Sequence, residues 1–196
     1  AVVVIANSRS VTIREEKLDD EFIARWVGGM GFGTRLFTRE VAPEADPFGE
    51  ENKLYLCVGP LTGTLAPLFA QTCIVTKSPL TGGIINSYAG GHVGGALKAT
   101  GYDVIAIEGQ ASNLVYLLLT PEGARIVDCP ELAGLPTAEA EAAVKAASKR
   151  DDLHTIAIGL AGENHIRYAC AISETRAFGR GGVGAVMGAK NLKAIG

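Results

Sequence analysis

The sequence has few cysteines and no cysteine motif. Its four cysteines are Cys57, Cys73, Cys129 and Cys170, and no two of them form a Cys-x-x-Cys pair. Zinc knuckles and self-contained iron–sulfur sites both need closely spaced cysteines. The chain is therefore not expected to hold either site by itself, and the thiols are expected to be free, buried packing residues.

Strong charge of one sign and long hydrophobic runs are also missing. The chain has 18 basic and 21 acidic residues, a formal net charge of −3, and no long run of either sign. Nucleic-acid binders carry a basic patch or stripe, so no nucleic-acid partner is expected. No apolar stretch reaches the ~20 residues that cross a bilayer, and the N-terminus does not follow the plan of a signal peptide. These absences predict a cytoplasmic protein without a membrane partner.

Glycine, by contrast, is abundant. The sequence contains 25 glycines and 8 prolines, and 47% of its residues are hydrophobic. This apolar share is enough for one sizeable core or two small ones, so the glycines indicate turns and not disorder. Alternating apolar segments, helix-forming segments and turn signals succeed one another along the chain. The sequence therefore predicts a folded α+β protein.

Two glycine-rich segments follow one plan. Residues 88–107 and 176–196 each contain a glycine loop, a short helix of small residues, a further glycine and a strand. Upstream of them, residues 54–63 and 154–162 resemble each other as a strand that runs into a turn. We infer an internal duplication with units near 54–108 and 154–196. The expected fold is β-rich and built from two similar β-α-β units.

The paired glycine loops predict a pair of anion sites. Glycine removes Cβ where a chain turns sharply or a ligand approaches the backbone, and the following helix directs unpaired N–H groups toward the loop. Two such loops can hold two phosphates. Arg176 and Arg180 are candidates for charge-assisted hydrogen bonds, and surface ion pairs are the alternative role for both. His92 could contact a phosphate, but a cap on the first helix or an exposed position is favoured for it.

Other segments are given structural roles. Residues 28–33 follow a helix, whereas dinucleotide-binding glycine loops follow a strand, so close helix packing explains these glycines better. A second helix is predicted from Thr34 to Val41. Residues 136–149 are rich in alanine and begin with proline, which favours a solvated surface helix. A strand over residues 166–172 is predicted to precede the last glycine loop.

Several motifs occur in an order that is typical of one enzyme family. They are Gly59-Pro-Leu-Thr-Gly-Thr64, Val75-Thr-Lys-Ser-Pro-Leu-Thr-Gly82, Gly90-Gly91, Ala161-Gly-Glu-Asn164 and residues 176–195. With them the chain resembles, over nearly its whole length, the N-terminal domain of the tungsten-containing aldehyde:ferredoxin oxidoreductases. The resemblance implies a two-layer, internally duplicated α+β base over residues 1–196. This base would carry tungstopterin, a bis-molybdopterin cofactor with tungsten or molybdenum.

The resemblance also implies roles for individual residues. The backbone carbonyls of Tyr88 and Ala177 would bind a magnesium ion that bridges the two pterin phosphates. Gln71 stands where well-known members have an arginine between the pterin and an iron–sulfur cluster, so that positive charge is missing here. No catalytic side chain is assigned. The residues expected to line the phosphates are Ala89, Gly90, Gly91, Arg176 and Gly179.

A function for the whole protein follows from the same resemblance. The chain would be the cofactor-binding base of an enzyme of anaerobic metabolism that oxidises aldehydes to carboxylic acids, with ferredoxin as electron acceptor. The [4Fe-4S] cluster and substrate pocket of this family lie in later domains, so this chain is expected to be an inactive piece. Its partners would be those domains or a partner subunit, and a second copy. The alternative is a stand-alone or separately encoded non-enzymatic module that binds pterin or another anion.

Overall fold

A computed structural model describes residues 2–7 and 10–196. The strands in these residues are β1 (Val2–Asn7), β2 (Ser10–Glu15), β3 (Leu54–Val58), β4 (Thr72–Lys77), β5 (Ile84–Ala89), β6 (Val104–Glu108), β7 (Val115–Thr120), β8 (Gly123–Asp128), β9 (Ile156–Ala157), β10 (Ala171–Ser173), β11 (Arg176–Phe178) and β12 (Leu192–Ile195). The α-helices are α1 (Asp20–Trp26), α2 (Met30–Glu40), α3 (Val93–Ala99), α4 (Thr137–Ser148), α5 (Leu160–Glu163) and α6 (Val183–Ala189), and a 3-10 helix spans Pro130–Leu132.

The strands form two six-stranded sheets of the same design. Their orders are β2-β1-β6-β3-β4-β5 and β11-β10-β9-β12-β7-β8. In each sheet the first strand of a hairpin, β1 or β7, pairs in parallel with β6 or β12. The other neighbours pair antiparallel, with β3, β4 and β5 placed like β9, β10 and β11. The predicted duplication is confirmed, and each repeat is longer than predicted because it includes the hairpin and the helix after it.

Alternating side chains build the core between the two sheets. Leu54 and Leu56 of β3 pack in one apolar cluster with Leu117 of β7 and Ile156 of β9. Residues of α3 and α6 join this cluster. The intervening residues of each strand point to the outer faces, where α2 packs on the first sheet and α4 on the second. The two-layer α+β prediction is confirmed, with these two helices added outside the layers.

Two helices differ from their predictions. Helix α2 begins at Met30 and not at Thr34, so Gly31 and Gly33 lie inside it. A Cβ on Gly31 would lie 2.2 Å from the Trp26 carbonyl oxygen, which confirms close packing as the reason for this glycine. Helix α4 is not simply solvated, because Ala140 and Val144 are buried against the second sheet.

The strand predicted over residues 166–172 is wrong for residues 166–170. Only Ala171–Ser173 form a strand, β10, and the preceding residues form a turn after α5. Ile166 N–H donates to the Ala161 carbonyl, and the Ala169 carbonyl accepts a bond from Gly184 N–H. These local and helix contacts use backbone groups that a longer strand would need.

The four thiols are free, and all but Cys170 are buried as predicted. Cys57, Cys73 and Cys129 are buried, and Cys170 is half-buried. Burial raises the pKa of Cys73 to about 11 and that of Cys129 to about 12. These groups stay protonated at neutral pH, so they are poor metal ligands and nucleophiles.

Lys190 connects the second repeat to the first. Its side chain is buried, and Nζ donates to the carbonyl of Asn52 and, at 2.9 Å, to that of Gly109. The Lys190 carbonyl accepts a bond from Ala111 N–H at 3.1 Å. Burial lowers the pKa of Lys190 to about 8.

We expect Lys190→Met to lower the free energy of unfolding at pH 7 by about 1 to 3 kcal/mol, because buried carbonyls lose their donor. The folded pKa of about 8 lies below the ordinary 10.5, so the unfolded chain binds more protons between these values. The contribution of Lys190 to the free energy of unfolding therefore increases as the pH rises from about 8 to 10.5. Urea unfolding should show a larger gap between wild type and variant at pH 10 than at pH 7. A smaller difference between wild type and variant at pH 10 than at pH 7 would contradict the lowered pKa of buried Lys190.

Candidate functional site

The two repeats meet where the edge strands β5 and β11 contact each other. Arg180 N–H donates to Ser87 Oγ at 3.1 Å, and Ser78 Oγ–H donates to the Gly181 carbonyl at 2.7 Å. Both bonds connect the first repeat to the second. The duplication therefore places the two glycine loops side by side on one surface.

An open cavity of about 570 Å³ lies at this junction. Three predicted site residues, Tyr88, Ala177 and Gly179, line it together with Ser87 and Arg180. Tyr88 is 42% exposed, whereas the next residue, Ala89, is 4% exposed because alternate residues of β5 face the core. A ligand in the cavity can therefore reach Ala89 only through its backbone.

The remaining predicted residues lie around the cavity. A Cβ built on Gly91 would be 3.5 Å from Arg176 Cγ, so the first loop approaches the start of β11. Gln71 is exposed and directly precedes β4, whose first residue pairs with Ala89. Gln71 thus lies at the strand end next to the first loop, but it is not among the residues that line the cavity.

Several glycines of the second loop are required by packing. A Cβ on Gly182 would lie 2.0 Å from the Arg167 carbonyl oxygen, and one on Gly184 would lie 2.3 Å from that of Cys170. Gly184 N–H also donates to the Ala169 carbonyl at 2.9 Å. The expectation that the helix after the loop directs unpaired N–H groups toward the loop is therefore wrong at Gly184, whose N–H bonds to the Ala169 carbonyl.

Gly90 and Gly179 are different. A Cβ on Gly90 would meet no atom within 4 Å, and one on Gly179 would meet its nearest atoms at 3.9 Å. Neither residue has a φ in the left-handed region. Packing and backbone conformation in the described chain therefore leave these two glycines unexplained. Close approach of a ligand to the backbone is the remaining common reason for glycine.

The charges around the cavity are mixed. Arg176 and Arg180 are exposed, and within residues 2–7 and 10–196 neither of them forms an ion pair. The alternative role in surface ion pairs is thus not observed in that part of the chain. Glu174 is near Gly91, and hydrogen bonds from His92 and His154 lower the pKa of its carboxyl.

The sequence analysis did not predict some residues of this region. Ser87 lines the cavity. The feature that could have identified it is a polar residue at an inward-facing position of β5. Glu174 lies in the turn between β10 and β11, which the wrong strand over 166–172 did not anticipate. Arg180 was named as a candidate but left out of the predicted site.

Comparison with known proteins decides the family. The family described as "Aldehyde ferredoxin oxidoreductase, N-terminal domain" matches residues 3–196. The chain belongs to this family. The tungsten-containing aldehyde ferredoxin oxidoreductase of Pyrococcus abyssi is 44% identical to this N-terminal domain over 194 residues, which are 98% of the chain and 32% of the relative. The resemblance inferred from the motifs is therefore confirmed.

Two proteins with other names are also similar to this chain. The aliphatic sulfonate oxidoreductase WOR-like subunit of Pyrococcus furiosus is 35% identical over 199 residues, which cover 93% of this chain and 32% of the relative. The active site complex BamBC of benzoyl coenzyme A reductase superimposes with a TM-score of 0.95 at 34% identity, covering 99% of this chain and 30% of that one. The chain thus spans about a third of these relatives. No helix in its described part combines the length and apolarity needed to cross a membrane.

Proposed function

We propose that this chain is the cofactor-binding base of a tungsten-dependent oxidoreductase and that its two loops hold the phosphates of a bis-molybdopterin cofactor. The observation that carries the proposal is the position of Gly90 and Gly179, which lie on glycine loops of different repeats that meet at one junction. Both leave open space where a side chain would stand. Relatives at 43–44% identity are named as tungsten-containing enzymes, which supports tungsten as the metal.

The residues in and beside the cavity fit such a group. Phosphate oxygens accept hydrogen bonds from backbone N–H groups and from arginine, and the exposed Arg176 offers a charged donor beside Gly91. Tyr88 and Ala177 line the same cavity from the two repeats, and their carbonyls are the proposed magnesium ligands. Magnesium prefers oxygen ligands, and carbonyls with phosphates supply them without a cage of side chains.

Bound tungstopterin supplies the redox chemistry at its metal. The residues of this chain hold and orient it: glycine backbones let the phosphates approach, and arginines balance their charge. The chain has no Cys-x-x-Cys motif, so we place the [4Fe-4S] cluster outside it. We propose that the part of the full protein that holds this cluster receives the electrons and passes them to ferredoxin.

Exposed apolar side chains support a partner over this surface. Leu65 and Leu68, in the loop before β4, are almost completely exposed. Tyr88 at the cavity and Leu80 and Ile84 near it are also among the exposed large hydrophobic residues. Because the chain spans about a third of its relatives, we propose that the remaining domains or a partner subunit cover these residues.

The substrate has two candidates. The 44% identity to aldehyde ferredoxin oxidoreductase favours an aldehyde that is oxidised to a carboxylic acid. The similarity to a sulfonate oxidoreductase subunit and to the benzoyl coenzyme A reductase complex favours a base that serves another substrate. Activity of the full protein with an aldehyde and ferredoxin, compared with a sulfonate and a thioester, separates these candidates.

The anion site can be tested on the chain itself. We expect Arg176→Ala to weaken pyrophosphate binding by about 10- to 150-fold, because a charge-assisted bond of about 1.5 to 3 kcal/mol is lost. Calorimetry gives the dissociation constants, and Arg125→Ala, an exposed arginine on β8, is the matched control. Melting temperatures should change little in both variants. Unchanged affinity with a large loss of melting temperature would make Arg176 a structural residue.

A further inference from the structure

Two imidazoles and one carboxylate meet beside the first glycine loop. His92 Nδ1 lies 3.0 Å from Glu174 Oε2, and His154 Nδ1 lies 2.7 Å from Glu174 Oε1. One potential ligand atom from each of the three residues lies within 4.8 Å of the others. The two imidazole rings stack with their centroids 5.1 Å apart. Three metal-ligating groups therefore converge on one small volume.

We propose that His92, His154 and Glu174 bind a divalent transition-metal ion, with zinc as the reference ion. Zinc binds imidazole nitrogens and carboxylate oxygens at about 2.0 to 2.2 Å in a tetrahedron, which puts ligand atoms about 3.4 Å apart. The observed nitrogen–oxygen distances of 2.7 and 3.0 Å are slightly shorter. Small side-chain rotations therefore open the space that the ion needs.

The backbone around Glu174 holds its carboxylate in place. Ser173 pairs with Arg176, so Glu174 and Thr175 form a two-residue turn between β10 and β11. Glu174 has φ +55, in the left-handed region that a non-glycine residue rarely adopts. Its N–H donates to Glu141 Oε1 at 3.1 Å. The tight hairpin turn accounts for this φ, and it presents the carboxylate toward both histidines.

The site connects the two repeats and opens to solvent. His92 belongs to the first repeat, whereas His154 and Glu174 belong to the second. Both imidazoles line a cavity of about 450 Å³ whose walls are mainly apolar, with Arg150 and Asp152 as the other charged residues. His92 has an exposed fraction of 74%. A tetrahedral site with three protein ligands at such a cavity leaves one coordination position for water or another small ligand.

This site differs from the proposed magnesium site in position and chemistry. The magnesium ligands are main-chain oxygens of Tyr88 and Ala177, whereas this cluster offers two nitrogens and one carboxylate. Nitrogen ligands favour zinc, cobalt, nickel and copper over magnesium and calcium. The alternative role is an ion pair that joins the repeats, which needs no metal and is weak for a histidine as exposed as His92.

The chain offers a direct test because it has three histidines and only two of them belong to the cluster. The tag-free 196-residue chain with ¹⁵N-labelled histidine is titrated with ZnCl₂ and followed by imidazole NMR signals. One equivalent of zinc should shift the signals of His92 and His154 with an approximately micromolar dissociation constant and leave those of His165 unchanged. MgCl₂ at roughly a thousandfold higher concentration should leave all three unchanged.

Variants separate a metal site from an ion pair. Glu174→Gln and His92→Gln should each weaken zinc binding by at least about tenfold, since each removes one ligand. His165→Asn is the matched control, because asparagine tolerates the φ of +54 at this position and the residue stacks on Phe48, away from the cluster. Circular dichroism checks folding, and the exposed His92 gives a variant that should fold. Absence of zinc binding at millimolar concentration, equal binding by the Gln variants, or a shift of His165 would overturn the proposal.

Discussion

Gly188→Ala should lower the free energy of unfolding by at least about 3 kcal/mol, more than a typical overpacking substitution. A Cβ at this position would lie 2.0 Å from the Gly162 carbonyl oxygen and 2.6 Å from its carbon. Both are backbone atoms, so relief requires α6 to separate from α5 and from the core that it helps to form. Urea unfolding followed by circular dichroism measures the loss.

The duplicated helix provides the matched control. Gly95 lies in α3, the counterpart of α6, and a Cβ there would meet its nearest atom, Gly63 Cα, at 3.9 Å. Gly95→Ala should therefore be neutral or stabilise by roughly 0.5 to 1 kcal/mol, since alanine favours a helix. Equal losses in the two variants would show that contact with α5 is not what requires glycine at position 188.

Gly90→Ala and Gly179→Ala should each reduce the tungsten and pterin content of the full protein without loss of stability. Each added methyl group enters the space that the proposed phosphates occupy and separates them from backbone donors. The loss of one charged hydrogen bond, about 1.5 to 3 kcal/mol, weakens binding by about 10- to 150-fold. Metal analysis and pterin fluorescence of purified protein measure the loading.

Gly83→Ala is the control for this pair. A Cβ on Gly83 would meet only Thr81 Oγ1, at 3.8 Å, and the residue lies in the turn between β4 and β5 outside the cavity. Its loading should equal that of the wild type. Full loading of Gly90→Ala and Gly179→Ala would show that these glycines do not contact the cofactor, which would remove the main support for the proposed site.

The sequence was sufficient to predict the duplication but not to predict how far each repeat extends. Glycine loops leave a recognisable pattern because few residues can replace glycine at a sharp turn or close contact. The hairpins β1–β2 and β7–β8 leave no such pattern, because a strand needs only alternating side chains and many sequences supply them. The repeat therefore became visible over its full length only through the strand order of the two sheets.

The roles of individual glycines could not be separated from the sequence. Gly179 and Gly182 stand three positions apart in one loop, yet only Gly182 would place a Cβ against the Arg167 carbonyl. That contact comes from the turn before β10, where the sequence predicted a strand. The cluster of His92, His154 and Glu174 was missed for a similar reason, since its first and last members are 82 positions apart and meet only because the repeats pack together.

The most direct test is a structure of the full protein with its cofactor bound. We expect the two pterin phosphates to lie against residues 88–91 and 176–179, with a magnesium ion between them that is bound by the carbonyls of Tyr88 and Ala177. Phosphates bound elsewhere, with Gly90 and Gly179 facing solvent or another domain, would contradict the proposal that the duplicated loops hold the cofactor.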